Sequence, residues 1–452
     1  MAQISIIKTS DVKGTRRLDA EYYQPIFLKY IIKLNSLPTI ILKNHAFVTD
    51  GIHTSIQYDM KSKIYCISAQ SVKDGFFILD REAHISSEQH KRNPRTSLKV
   101  DDVIVSSVGT IGNCAVVSED ILPANADRHV GIIRIKDKIN PYFLCAFLNS
   151  KYGRFQTTRE ATGNVQLNLF IDKIKELIIP LLNNQDEIGS LVKNANGLLN
   201  TSKGMYLEAE KILLRELGLT AYYLNHQLTY IANCSKIQIN NRIDAEFYQP
   251  KYQKIIDSAS EKATMEKLDD LVKISKGIEV GSEEYREEGI PFVRVSNLSN
   301  YEINDNNQKY ISNELFDKLK NKFKPKKGEI LLSKDATPGI AFLIDDEKDR
   351  IISGGILRLR VDSDIDKNYL TMVLNSLFVQ SQIERDAGGS IIVHWRPELI
   401  KETLIPVLPK PKQEEISKLV EESHKSRIHA KQLLEKAKKI VEYEIEKYQK
   451  RK

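Results

Sequence analysis

The 452-residue chain is too long for one ordinary core, so two or three domains are expected. With 41% hydrophobic and 28% charged residues it suits a soluble globular protein; no apolar run reaches the roughly 18–20 residues of a membrane span, and the opening MAQISIIKTSDVKGTRR lacks a signal-peptide core, so a cytoplasmic location is expected. A net charge of +7 permits nucleic-acid binding without requiring it, while Cys66, Cys114, Cys145 and Cys234 form no CxxC pair, which argues against zinc and for buried free thiols.

Near the start stands RLDAEYYQP, Arg17 to Pro25. RIDAEFYQP, Arg242 to Pro250, follows 225 residues later and is identical at seven of nine positions. The register then persists. Val48-Thr-Asp-Gly51 matches Ile274-Ser-Lys-Gly277, and IYCISAQSV from Ile64 matches IPFVRVSNL from Ile290. DVIVSSVGTIG ending at Gly112 matches GEILLSKDATPG ending at Gly339, and FLCAFLNS ending at Ser150 matches YLTMVLNS ending at Ser376. ELIIP ending at Pro180 matches TLIPV around Pro406. Offsets stay between 225 and 228, so the chain is a tandem duplication.

Within each copy the head reads as mixed α and β. VIVSS and EILLS are short apolar runs ending in turns, as buried strands do. GIIRIK and GILRLRV alternate, the period of a half-buried strand. Gly109-Thr-Ile-Gly112 lies between two strand-like runs and reads as a β-turn, since a phosphate-binding loop would open a helix there. Asn140-Pro141-Tyr142 reads as a helix start, because Pro suits the first turn; FLCAFLNS and YLTMVLNS are short helices.

Each copy ends differently. From Gln185, Ile188, Leu191, Val192, Ala195, Leu198, Leu199, Met205, Ala209, Ile212 and Leu213 recur at helical steps; from Gln413, Ile416, Leu419, Ala430, Leu433, Ala437, Ile440 and Tyr448 do the same, with Ser423 and Ser426 interrupting the seam. A narrow apolar seam asks for a partner helix, and the other copy's helix is the natural one. The expected fold class is α+β: two α/β heads, each followed by a long helix, the helices forming an antiparallel coiled coil with the heads at opposite ends. Expected bounds are a first head over 1–184, a long helix over 185–218, a linker over 219–240, a second head over 241–411 and a second helix over 412–452. Gly218 is a natural helix stop.

No Walker A, HExxH or GxSxG sequence is present. Asp335 and Asp386 suggest no specific role, and His424 and His429 read as solvated. The chain reads as one that binds and does not catalyse.

Several blocks together carry a resemblance. The repeated DAExYQP opening and the apolar strand with its Gly turn are two of them. Ala161-Thr-Gly163-Asn164, IDKIKELIIP and Gln185-Asp-Glu-Ile188 follow, with the second-copy equivalents Ala387-Gly-Gly389-Ser390, RPELIKETLIP and Gln413-Glu-Glu-Ile416. Over essentially its full length the chain resembles the specificity subunits of type I restriction–modification enzymes. The resemblance implies two target-recognition domains, each reading one half-site of a bipartite double-stranded DNA target, with the coiled coil as spacer. It implies partners: two DNA-adenine methyltransferase modification subunits using S-adenosylmethionine, and restriction translocase subunits using ATP with Mg. No cofactor is expected in this chain, and no membrane association.

Phosphates call for Lys and Arg, and base edges for Arg, Lys, Asn, Gln and Ser. The DNA-contact candidates in the first head are Lys91, Arg92 and Arg95 in a basic loop, then Arg128 and His129 before a strand. In the second they are Lys322, Lys324, Lys326 and Lys327 of KFKPKK, with Arg294, Lys334, His394 and Arg396; Trp395 fits core packing equally well. The alternatives are a duplicated recognition module of another restriction or methylation system, a scaffold that binds no DNA, and a methyltransferase with unrecognised motifs.

Overall fold

The computed structural model describes residues 4–15, 17–59, 61–79, 83–163, 166–220, 226–235, 242–305, 307–387 and 394–448. Asn164 and residues 388–390 of the family-like blocks lie outside these. The chain divides into two compact units, Met1–Asn200 with Arg427–Lys452, and Thr201–Ser426.

The duplication is a duplication of topology. The first unit carries β1 (Thr39–Ile41), β2 (Ala46–Asp50), β3 (Ile64–Ile67), β4 (Ala83–Ile85), β5 (Val103–Ser106), β6 (Cys114–Val116), β7 (Ala124–Ala126), β8 (Val130–Ile135) and β9 (Ile178–Pro180). The second carries β10 (Thr264–Lys267), β11 (Val272–Lys276), β12 (Ile290–Val293), β13 (Lys309–Ile311), β14 (Ile330–Ser333), β15 (Ala341–Leu343), β16 (Ile351–Ile352), β17 (Ile356–Val361) and β18 (Leu404–Val407). In the first unit the sheets run β2-β8-β5-β6, β4-β3-β7 and β1-β9; in the second they run β11-β17-β14-β15, β13-β12-β16 and β10-β18, the same orders strand for strand.

The local reasons are those of the sequence. Val103–Ser106 and Ile330–Ser333 are buried along their whole length. Each hairpin that follows turns through a left-handed residue at Gly112 (φ 82°) and Gly339 (φ 91°), where a side chain would be strained. Gly109–Gly112 joins antiparallel β5 and β6, a turn as expected. Asn140 caps the helix Pro141–Asn149 by accepting from the N–H groups of Tyr142 and Phe143, and Asp366 does the same for Lys367–Asn375. β8 departs from the half-buried expectation: Val130 to Ile133 are all buried, since the sheet is covered on both faces there.

The most repeated motif is a structural clip. Arg17 pairs with Asp19 (2.6 and 2.8 Å) and lies over the Tyr22 ring at 4.5 Å; Arg242 pairs with Asp244 (2.7 and 2.8 Å) and lies over Phe247 at 4.3 Å. The guanidinium also donates to Arg159 O in the first unit (3.5 Å) and Asp386 O in the second (3.2 Å), tying each opening segment to the end of a head helix. Hydrogen bonding to the arginine holds Asp19 and Asp244 below the usual carboxylate range.

The long helices run Gln185–Glu216 and Lys410–Tyr448, ending two residues sooner and starting two sooner than expected. Gly218 takes φ 71° just past the first. In the first unit Ile188, Val192, Ala195 and Leu199 share one core with Ala430, Leu434, Ala437, Val441 and Ile445. In the second, Tyr206, Ala209 and Leu213 share another with Ile416 and Val420. There the direction is explicit: Ser202 faces Ser423 and Glu216 pairs with Lys412, so the helices are antiparallel.

The seam differs in register from the expected one. Val420, Leu434 and Val441 are buried, whereas their neighbours Leu419, Leu433 and Ile440 are half-buried and Tyr448 is exposed. Ser423 does not interrupt it. Fully buried, it donates to Ser202 O (2.7 Å) and meets Ser202 Oγ at 3.0 Å, a satisfied polar pair that favours this register over a slipped one. His424 is not solvated either: it is half-buried and stacks on Phe342 at 5.8 Å, while His429 is exposed. Cys66, Cys114 and Cys145 are buried thiols, but Cys234 is exposed.

Candidate nucleic-acid interface

In each unit the four-stranded sheet has one end where β2, β8 and β5, or β11, β17 and β14, meet their loops. Asp50 stands across from Gly131 and Ser106 across from Val130; Lys276 stands across from Leu357 and Ser333 across from Ile356. The backbones approach so closely that a Cβ on Gly51 would lie 2.0 Å from Asp127 O, and one on Gly277 2.1 Å from Ser353 O. Only glycine allows that approach.

Of the first-unit candidates, Arg95, Arg128 and His129 gather at this end. Arg95 donates to Asp50 Oδ1 (2.8 Å), Asp50 O (3.0 Å), Gly51 O (3.3 Å) and Thr49 Oγ1. Arg128 and His129 form the link from β7 to β8, with His129 Nδ1 2.8 Å from Asp127 Oδ2 and Arg128 Nε 3.4 Å from His129 Nε2. Lys91 and the Glu88-paired Arg92 are exposed in the last turn of Ser87–Arg92. That helix is fastened to β7 through His90 and Asn125, whose side chains meet at 2.5 Å.

The second-unit candidates divide. Arg294, Lys334 and His394 gather at the corresponding end: Lys334 pairs with Asp335 (2.5 Å), and His394 Nδ1 lies 2.8 Å from the same carboxylate. A Cβ on Gly355 would sit 3.0 Å from Val295 Cγ2 and 3.5 Å from Asp335 Oδ2, which places the segment following Arg294 beside this cluster. Arg294 itself donates to Asn307 O (2.6 Å). Arg396 is exposed at the start of Pro397–Lys401. The KFKPKK residues sit instead before β14, at the other end of that strand. Carbonyls of Lys322 and Lys324 accept from Arg358 (2.6 and 2.7 Å), and Lys324 Nζ pairs with Asp349. Lys322, Lys326 and Lys327 are exposed. Trp395 is core, 1% exposed.

Two residues that organise this surface were not among the sequence candidates. Asp50 holds Arg95 and also His53, and Asp335 holds Lys334 and His394. Burial would raise both carboxyls, but these hydrogen bonds outweigh it and hold each below the usual carboxylate range. A lone Asp gives no sequence signal, and only the fold shows which cations converge on it. Each carboxylate neutralises and aims neighbouring cations, leaving a polar surface able to donate to phosphates and base edges.

A depressed folded-state value means that the unfolded chain takes up this proton first as pH falls. The contribution of Asp335 to stability is therefore complete above the unfolded value of about 3.9 and is lost as pH falls through the folded value. The stability difference between the parent and Asp335→Asn is expected to be constant above about pH 5 and to shrink below about pH 4. Denaturant midpoints against pH measure it, and a difference that widens toward acid would contradict the assignment.

Among the described residues, no group of three or more His, Cys, Asp or Glu is placed to hold a metal ion, and no helix is long and apolar enough to cross a membrane. Residues 260–439 match the family model of the type I restriction modification DNA specificity domain. The second copy is a domain of that family, and the first repeats its strand order. That family is the one that the whole sequence resembles, and the match itself lies within the second copy.

No curated protein matches it by sequence. Among solved structures it is similar to the S subunit of a type I restriction-modification system from M. genitalium, at 13% identity, covering 91% of this chain and 95% of that one with a TM-score of 0.41. It is similar also to the HsdS subunit from Thermoanaerobacter tengcongensis, at 14% identity, 91% and 96% coverage and a TM-score of 0.28.

Proposed function

We propose that each head, 1–184 and 241–411, is a target-recognition domain reading one half-site of a bipartite duplex target. The paired helices over 185–218 and 412–452 set the spacing between half-sites, with 219–240 as linker. The observation that carries this reading is the strand-for-strand duplication, in which two equivalent sheet ends bear different polar side chains. Equal frameworks with unequal surfaces suit one address written in two different halves. Linking two readers also raises affinity only for DNA whose half-sites fit the span.

On this reading the chain supplies the address and the scaffold without catalysing. Two modification subunits, carrying S-adenosylmethionine, methylate adenine, and restriction translocase subunits using ATP with Mg join the complex. The test is an exchange of residues 20–180 for the matching head of a relative, with adenine methylation mapped in cells carrying either chain. One half of the target is expected to change and the other to persist. Both halves changing together would refute the assignment of one head to one half-site, and a duplicated scaffold that binds no DNA would leave methylation unaltered.

A further inference from the structure

At the sheet end just described, both units have the same chain crossing. In the first, Val108 bridges Asn168 and Leu169 N donates to Ser107 O at 2.8 Å. In the second, Asp335 bridges His394 and Trp395 N donates to Lys334 O at 2.9 Å. Leu169 and Trp395 are buried, 2% and 1% exposed, and each anchors the crossing in the core of its unit.

Side chains of extended backbone alternate between faces. An anchor pointing inward therefore turns the preceding residue outward, and Asn168 is half-exposed while the His394 side chain is 59% exposed. The backbone is thus the same at both positions and the outward chemistry differs. Asn168 carries an amide whose Nδ2 donates to Gln166 O (3.0 Å). His394 carries an imidazole whose Nδ1 is engaged by Asp335 (2.8 Å), so Nε2 is the ring nitrogen left to meet another group. Asp335 also pairs with Lys334, which fixes a cation beside that ring.

We propose that Asn168 and His394 are equivalent specificity-determining residues, each meeting a base edge of its own half-site. The inference rests on the two-half-site reading above and adds to it the position in each head where the address is read. A reader must be rigidly held, turned outward, polar, and free to differ between heads on an unchanged backbone. The crossing meets all four conditions. The Asn168 amide suits the bidentate pairing that Asn makes with adenine N6 and N7 in the major groove. The imidazole of His394, held by Asp335, offers a single fixed contact. Asp335 is a positioning residue here.

The test uses the full-length chain assembled with its modification subunits and a pool of duplex DNA randomised across both half-sites, read by sequencing of the bound or methylated fraction. Asn168→Ala is expected to relax the preference at one base pair of one half-site by roughly 5- to 150-fold, and to leave the other half-site as in the parent. His394→Ala is expected to do the same in the other half-site. Asp335→Asn, which frees the ring, is expected to weaken the same position as His394→Ala without touching the first half-site. Lys91→Ala, at an exposed cation, serves as the contrast, lowering binding evenly across sequences.

Parent-like preferences in both alanine variants would overturn the proposal while leaving the two-half-site reading intact. A uniform loss across all sequences, with no position relaxed, would also overturn it, because it marks a phosphate-binding or purely structural role. A parent chain that selects no sequence at all would remove the underlying reading and this inference with it.

Discussion

Removing one heptad from each long helix, Leu198 to Gly204 with Lys425 to Lys431, is expected to shorten the preferred DNA spacer by up to about three base pairs. Seven residues at 1.5 Å each amount to roughly 10 Å of helix, and duplex DNA rises about 3.4 Å per base pair. The seam tolerates the deletion because its period is seven: Ile188, Val192, Ala195, Leu199, Tyr206, Ala209 and Leu213 are spaced by threes and fours once the buried Ser202 is counted, as are Ile416, Val420, Ser423, Ala430, Leu434, Ala437 and Val441 around the half-buried Arg427. The deletion removes Ser202 but keeps Ser423, so the buried hydroxyl loses its partner. A deficit of about 1–3 kcal/mol in helix pairing is expected from that alone. A control in which Ser423→Ala accompanies the deletion recovers part of it. The heads must also stay on one face of a duplex that turns about 34–36° per base pair, so affinity falls even at the new optimum. Methylation or binding across a library of spacer lengths, with both half-sites fixed, makes the measurement. An unchanged spacer preference in a folded, partner-bound variant would show that the helices do not set the spacing.

The parts of this protein that were legible from sequence are those written as repeats or as local geometry. Arg17 to Pro25 and Arg242 to Pro250 announced the duplication, and the topology follows it strand for strand. Gly109–Gly112, the Asn140 cap and the Gly218 stop each depend on a few neighbouring residues, so propensity sufficed. The seam register did not follow from periodicity. Leu419-Val420, Leu433-Leu434 and Ile440-Val441 are adjacent apolar pairs, either member of which satisfies a helical pattern, and only packing against the partner helix selects the second. Ser202 stayed invisible because its burial depends on a hydroxyl 221 residues away. At the candidate interface the basic residues were legible as charge. Their grouping was not, because Lys334 and KFKPKK are close in sequence yet sit at opposite ends of β14. Position 336 shows the same limit in another form: Ala336 takes φ 59° where the first copy has Gly109 at φ 75°, a left-handed position that both copies share although only one fills it with glycine.

Trp395→Ala is expected to destabilise the second unit by about 3–5 kcal/mol, the largest loss of any single side chain considered for this protein. Trp395 is the largest fully buried side chain and shares a core with Leu332, Leu357, Phe378 and Ile400. Its truncation leaves a cavity at the base of the crossing that carries His394, where backbone bonding to Lys334 O limits collapse. Trp395→Leu, which installs the residue found at the matching position of the first copy, is expected to fall between alanine and the parent. Trp395→Phe should cost least. Among the described residues the buried Trp395 Nε1 proton has no hydrogen-bond partner, and removing an unsatisfied donor regains about 1–3 kcal/mol against the apolar area that phenylalanine fails to fill. The order expected is therefore Phe, Leu, Ala, with increasing loss. Because the chain has a single tryptophan, its fluorescence in the parent reports the opening of the second unit's core alone. The variants are followed by circular dichroism in denaturant. The same cavity loosens His394, so the alanine variant should lose discrimination in one half-site before it loses the other. An alanine variant within about 1 kcal/mol of the parent would mean that Trp395 does not anchor this core, and that the outward placement of His394 has another cause.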